Sequence, residues 1–287
     1  TVMQYKDLWD DITRKMGYWV DLDNPYITYE NEYIESVWWL LRQLFDKGLM
    51  YKGYTIQPYS PAAGTGLSTH ELNMPGCYKD VKDTSAVAQF EVIRNEKSEF
   101  LYESDDEDVR ILAWTTTPWT LPSNTGLTVG PKINYVKIKT TNPYTEKPVS
   151  VVIAEDLVSK WMVEEAPKKG PKKPVILEKS ESFKGAQLEG IRYEQLLAFG
   201  NEIEPLKGGT DAFKVILGDF VTTESGTGIV HTAPSFGADD RMVGMKNGLG
   251  ALTLVDKQGK FKDSVGPFSN RYVKNYKDDP DYIDVNV

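Results

Sequence analysis

The chain has 287 residues, 40% hydrophobic and 26% charged, so it is long enough to bury a core without disulfides or metals. Its net charge of −9 excludes a particle that attracts nucleic acid over its whole surface, and its single cysteine, Cys77, excludes a disulfide framework or a four-cysteine zinc site. No apolar run has the length of a membrane span and no signal peptide opens the chain, which points to a cytoplasmic protein in a reducing compartment.

The first fifty residues read as helical. In YKDLWDDITRKMGYW, Tyr5, Leu8, Trp9, Ile12 and Met16 recur at helical spacing, with Gly17 as a stop. In NEYIESVWWLLRQLFDKGL, Ile34, Val37, Trp38, Leu41, Leu44 and Phe45 form one stripe, closed by Lys47 and Gly48 as a basic last turn and its following glycine. This predicts an antiparallel helical pair whose stripes pack on each other or on a further domain. From Gly53 the pattern changes to short β-branched or alternating runs: SAVAQFEVI, VRILAW, NYVKIKT, VSVVIA, FKVILGDFV and GTGIVHTA. Turn-rich pieces separate them without regular intervening helices, which argues for a barrel or sandwich rather than a doubly wound sheet. Helical pieces are expected to interrupt the strands in AEDLVSKWMVEE, YEQLLAFG and DDRMVGMKNG. The acidic SDDEDV and the basic run at residues 168–173 read as excursions between strands, the basic run as a solvated loop. The domains expected are therefore 1–52 and 53–287. The start at Thr1 and the close on DPDYIDVNV read as a segment of something longer.

Candidate chemistry is sparse. There are two histidines; His70, in GLSTHELN, reads as a surface residue, whereas His231 ends a strand-like run and is followed by turns at Pro234 and Gly237. Asp239 and Asp240 fall at the start of the next helix, where capping accounts for one of them and leaves the second to face whatever the turn encloses. A metal site of His231, Asp239 and Asp240 is poor in ligands, and there is no G-x-S-x-G elbow, Walker loop or dinucleotide fingerprint. WTTTPWTLPSN remains. Pro118 must stop the strand that carries Thr115, so Thr115, Thr116, Thr117, Thr120 and Asn124 gather at a strand end. Two readings stand here: a pocket for a small polar ligand, or a turn whose hydroxyls satisfy its own backbone.

Taken together, TTTPWTLPSN and GTGIVHTAPSFGADD resemble the two signature motifs of the editing insertion of isoleucyl-tRNA synthetases, a class I family. YIESVWWLLRQLFDKGLMYKG and YSPAAGTGLSTHEL resemble the sequence leading into that insertion, so the resemblance spans nearly the whole chain. The valyl and leucyl relatives carry an arginine after the first two threonines, where this chain has TTTPWT. The form PSFG, with Phe236 where some bacterial members have a second histidine, suggests the eukaryotic-like subgroup. The resemblance implies an α+β protein: a β-barrel-type editing domain with peripheral helices, joined to an N-terminal helical connecting segment. It implies a catalytic group of Asp240, Thr115, Thr116, Thr117 and His231, with Asp240 holding the substrate's α-ammonium. Thr120, Asn124, Trp119 and Asp239 are implied to bind substrate.

The implied activity is hydrolysis of valyl ester from mischarged tRNA(Ile). One methylene in an apolar pocket is worth only about 1–3 kcal/mol, so a second, smaller site must remove what the first admits; this family is the standard example. The implied partners are the 3′ acceptor end of tRNA(Ile) and the remainder of the synthetase, with no membrane and a monomeric fragment. No cofactor or metal is implied for editing, ATP serving only an aminoacylation site whose signatures are missing here. The alternatives are a non-catalytic acceptor-end binding module, or the editing domain of a valyl or leucyl relative.

Overall fold

The computed structural model describes residues 2–80, 82–165, 173–199 and 202–274. Of the basic run at 168–173, only Lys173 is among them; the expectation for the rest lies outside the described residues. The chain divides into two units, Thr1–Tyr54 and Thr55–Val287.

The first unit holds α1 (Lys6–Lys15) and α2 (Asn31–Asp46). Ion pairs four residues apart support both: Lys6–Asp10 at 2.5 Å, Lys15–Asp11 at 2.7 Å and Arg42–Asp46 at 2.8 Å. Gly17 (φ 77°) and Gly48 (φ 69°) adopt the left-handed conformation that ends a helix at little cost. The stripes do not bury each other: neither helix contains a buried residue, so of the two arms of the expectation only packing on a further domain is left. Leu8, Trp9, Trp38 and Phe45 all stay exposed.

The second unit is α+β. It opens with a short hairpin, β1 (Tyr59–Ser60) and β2 (Thr65–Gly66), and a helical turn α3 (Thr69–Leu72) closed by a Ser68–Glu71 capping box. Nine further strands form one sheet: β3 (Ala86–Glu91), β4 (Val109–Thr115), β5 (Gly126–Val129), β6 (Asn134–Thr141), β7 (Pro148–Ala154), β8 (Glu178–Lys179), β9 (Phe183–Lys184), β10 (Lys214–Leu217) and β11 (Ile229–Thr232). The order is β10-β5-β11-β4-β7-β6-β8, with β3 on β4 and β9 on β6. Two helices accompany it, α4 (Val158–Trp161) and α5 (Ala238–Lys246). The sheet is mixed, since β10 runs parallel to β5 and β4 runs parallel to both β7 and β11.

The strand β4 organises this sheet. Arg110 pairs with Glu91 of β3 and with Val151 of β7, while Trp114 pairs with Val87 of β3 and with Val230 of β11. One edge of β4 is therefore shared, with β7 along its first half and β11 at its end. Because β11 is parallel to β4, residues 115 and 231 emerge side by side. Because β11 is antiparallel to β5, with Thr232 opposite Gly126, the segment just before β5 lies against them too. Two stretches more than a hundred residues apart are thereby delivered to one place.

The main core is built around this sheet, on both of its faces, and includes Phe90, Ile111, Leu127, Ile138, Ile153, Leu188, Ile191 and Tyr193, all fully buried. Each such side chain contributes about 1.5–3 kcal/mol on burial. A second cluster of Leu252, Leu254, Phe261 and Val265 packs against Trp119.

One local expectation fails. YEQLLAFG does not form a helix: Tyr193 N–H donates to the Phe213 carbonyl at 3.1 Å and Glu194 N–H to Glu91 at 2.8 Å, so tertiary pairing overrides local preference. In AEDLVSKWMVEE the expected helical piece does form, a 3₁₀ turn (Glu155–Leu157) running into α4; it ends where Val163 bonds to Pro174 at 3.1 Å and pairs with Val175. The acidic SDDEDV leads into β4, and within it Glu107 is nearly buried and accepts from Lys137 Nζ at 2.8 Å and Ser150 Oγ at 2.5 Å.

Candidate functional site

After β4 the chain turns sharply. Pro118 occupies the first position of a 3₁₀ turn (Pro118–Ser123), where its missing N–H costs nothing, and Pro122 lies within it. This buries Thr115, Thr120 and Asn124, half-buries Thr117 and leaves Thr116 exposed. Part of the hydroxyl chemistry is indeed self-satisfaction: Thr117 N–H donates to Thr115 Oγ1 at 3.1 Å, and Thr120 Oγ1 donates to the Thr117 carbonyl at 2.8 Å. The Thr117 hydroxyl lies 3.4 Å from those of both Thr115 and Thr120, forming a polar ladder.

His231 is clamped between the two ends of this turn. Its Nε2 is 2.9 Å from Thr120 Oγ1 and its Nδ1 is 2.8 Å from Asn124 Nδ2. The bond directions follow from Gly126: its carbonyl can only accept, so the Asn124 atom 2.8 Å from it is the amide nitrogen. That nitrogen's second hydrogen points to Nδ1, which must accept. The ring proton is then on Nε2 and is donated to Thr120, whose own proton goes to Thr117. Burial pushes the His231 pKa down to about 4, so the ring is neutral near pH 7. With its lone pair occupied, His231 is a poor general base but a firm wall.

Asp240 sits in the first turn of α5, and neither Asp239 nor Asp240 caps that helix, whose N-terminal residue Gly237 has no side-chain cap. Asp240 instead turns back, and its Oδ2 accepts the Ala233 N–H at 2.8 Å, fixing the loop after β11. Its Oδ1 has no hydrogen-bond partner among the described residues. Burial holds this carboxyl above the usual carboxylate range; the Ala233 N–H opposes the shift and the neighbouring Asp239 charge adds to it. A cation brought beside Oδ1 would counter that cost.

These groups share one cavity of about 320 Å³, lined by Thr115, Thr116, Thr117, Trp119, Thr120, His231 and Asp240 together with Trp114, Val230, Ala233, Phe236 and Gly237. The rings of Trp119 and Phe236 meet edge to face, with centroids 4.9 Å apart, and form its apolar side. Two expected site residues do not line it. Asn124 is buried behind His231, and Asp239 is exposed and borders a different cavity with Leu217, Phe220, Met242 and Lys246. His70 is exposed on α3. Sequence reasoning missed Tyr193, whose hydroxyl donates to Asn124 Oδ1 at 2.6 Å; no local signal marks it. No group of three or more metal-ligating side chains occurs among the described residues. No helix among them is long and apolar enough to cross a membrane.

The profile of the class I tRNA synthetases (I, L, M and V) matches residues 1–224. The chain is 52% identical over 290 residues to an isoleucine–tRNA ligase of Porphyromonas gingivalis, covering 99% of this chain and 24% of that protein. It is 53% identical over 289 residues to that of Cytophaga hutchinsonii, covering 95% and 25%. It therefore spans about a quarter of the length of the curated relatives it matches. Among solved structures it is similar to the P. knowlesi cytosolic leucyl-tRNA synthetase editing domain, at 16% identity and a TM-score of 0.37, over 55% of this chain and 59% of that one. That likeness is too loose to bear on the geometry. The motif pair in one cavity and the profile match over most of the chain agree, and the chain belongs to the class I tRNA synthetases of the isoleucyl, leucyl, methionyl and valyl group.

Proposed function

We propose that the Thr55–Val287 unit hydrolyses the ester of mischarged tRNA, with valyl-tRNA(Ile) as its substrate, within an isoleucine–tRNA ligase. The observation that carries this reading is the convergence of Thr115–Thr117 and Thr120 from one motif with His231 and Asp240 from the other around a single small cavity. Identity of 52–53% to isoleucine–tRNA ligases supports the isoleucine system over its relatives.

In this reading the α-ammonium of the aminoacyl group binds Asp240 Oδ1, while Oδ2 stays committed to Ala233. A hydrogen bond to a charged group contributes about 1.5–3 kcal/mol, and the half-buried setting favours its upper part. The Thr115, Thr116 and Thr117 hydroxyls hold the ester and the attacking water. The Thr120 hydroxyl is committed to His231 and Thr117, so it acts by holding the ring. His231, Trp119 and Phe236 bound the side-chain space, which takes valine and rejects the extra methyl of isoleucine. Catalysis is then mainly positioning and electrostatics on an ester already activated by the adjacent ribose hydroxyl. No step is assigned to a metal or cofactor; ATP would serve an aminoacylation site elsewhere in the synthetase. The partners are the tRNA(Ile) 3′ end and the remaining synthetase.

The test is deacylation of Val-tRNA(Ile) and Ile-tRNA(Ile) by the full-length synthetase carrying this segment, with and without Asp240→Ala. The expected result is rapid loss of valine only, slowed at least about 100-fold by the substitution. Equal rates in the two proteins would reject the assignment. Preference for threonyl or norvalyl esters would move the chain to the valyl or leucyl class. Tight binding of uncharged tRNA with no hydrolysis would leave a binding module.

A further inference from the structure

Behind the cavity, a side chain outside both motifs completes the hydrogen-bond chain. Tyr193 is fully buried, and its ring meets Phe90 and Phe213 edge to face at 5.2 and 6.3 Å. Its backbone is tied to Phe213 and its hydroxyl donates to Asn124 Oδ1 at 2.6 Å. Burial raises the phenol well above its ordinary value, so it remains a donor. From there the polarity runs in one direction: Tyr193 to Asn124 Oδ1, Asn124 Nδ2 to His231 Nδ1, His231 Nε2 to Thr120, and Thr120 to the Thr117 carbonyl.

We propose that Tyr193 is a positioning residue for this site: its hydroxyl holds the Asn124 amide in one orientation and thereby selects the Nε2–H tautomer of His231. The local part of this proposal stands on geometry alone; its bearing on hydrolysis rests on the editing reading above. Two contacts set the amide, the Tyr193 hydroxyl on Oδ1 and the Gly126 carbonyl on Nδ2. Without the hydroxyl, Oδ1 is a buried acceptor with no donor, a costly state that only Gly126 resists. Rotation of the amide would place Oδ1 against His231 Nδ1. The ring would then carry its proton on Nδ1, and Nε2 would take the Thr120 proton away from Thr117. The threonine ladder facing the cavity would be rewired without any change in shape.

The test uses the full chain with ¹⁵N-labelled histidine, simple to assign because only His70 and His231 exist. At pH 7 the wild-type His231 spectrum should show the Nε2–H tautomer alone. Tyr193→Phe should keep its fold yet show the Nδ1–H form as a second, readable population. In the synthetase, the same substitution should slow Val-tRNA(Ile) deacylation roughly tenfold, the low end of the loss seen when the hydrogen-bond partner behind a metal-bound histidine is removed. A wild-type ring in the Nδ1–H or doubly protonated form overturns the proposal, and so does a Y193F protein with an unchanged tautomer. A Y193F chain that does not fold overturns it too, because the hydroxyl would then serve stability. Correct tautomer behaviour without hydrolysis in the wild type would sink the editing reading and leave the positioning intact.

Discussion

His231 makes acid stability a direct probe of the site. The ring is buried with both nitrogens engaged, and its pKa is lowered from 6.5 to about 4 by burial. An imidazole in the unfolded chain binds its proton near pH 6.5. Between that value and about 4 the unfolded state holds more protons than the folded one, so stability is complete above 6.5 and falls as the pH drops. Integrated over the whole window, the loss is about 3 kcal/mol; from pH 7 to pH 5 alone it is about 2 kcal/mol. Carboxylates held low by partners, such as Glu103 and Asp211 at about 2, also lose stability on acidification. Their effect falls mainly below pH 5 and is shared by any His231 variant. Urea unfolding of the wild type and of His231→Gln at pH 7 and pH 5 isolates the difference. The wild type should lose about 2 kcal/mol more than the variant over that interval. Parallel profiles, or a His231 resonance that titrates above pH 6, would refute the neutral, doubly engaged ring and every role built on it.

Two further outcomes test the scaffold. Glu107→Ala should destabilise the chain by about 3 kcal/mol in urea, the lower end for breaking a buried pair, because Lys137 keeps Glu103 at 2.7 Å as a second partner. Gly228→Ala should cost about 3 kcal/mol in a thermal melt, from left-handed strain and overpacking together. Its φ is 72° and an added Cβ would overlap that of Ala154. Gly17→Ala, with φ 77° and open space around it, should cost only about 1 kcal/mol and serves as the comparison.

What the sequence determined by itself was the local and the chemical. The spacing of apolar residues and the two C-terminal glycines set α1 and α2. The β-branched runs set most of the long strands, and the prolines at 118 and 122 set the turn that follows β4. The two motifs marked Thr115–Thr117, Thr120, His231 and Asp240, and these line one cavity. Only the tertiary structure decided how those groups connect. The parallel register of β11 on β4 and its antiparallel register on β5 place His231 between Thr120 and Asn124, residues 111 and 107 positions away. That register moved Asn124 from the expected wall to a position behind it, and the course of α5 turned Asp239 away to another cavity. Pairing of Tyr193 with Phe213 and of Glu194 with Glu91 drew YEQLLAFG out of its expected helix, so that Tyr193 could reach Asn124. The physical reason is reach. Helical and strand periodicity is written over a few residues, whereas a side-chain hydrogen bond across the sheet exists only once distant strands have paired in register.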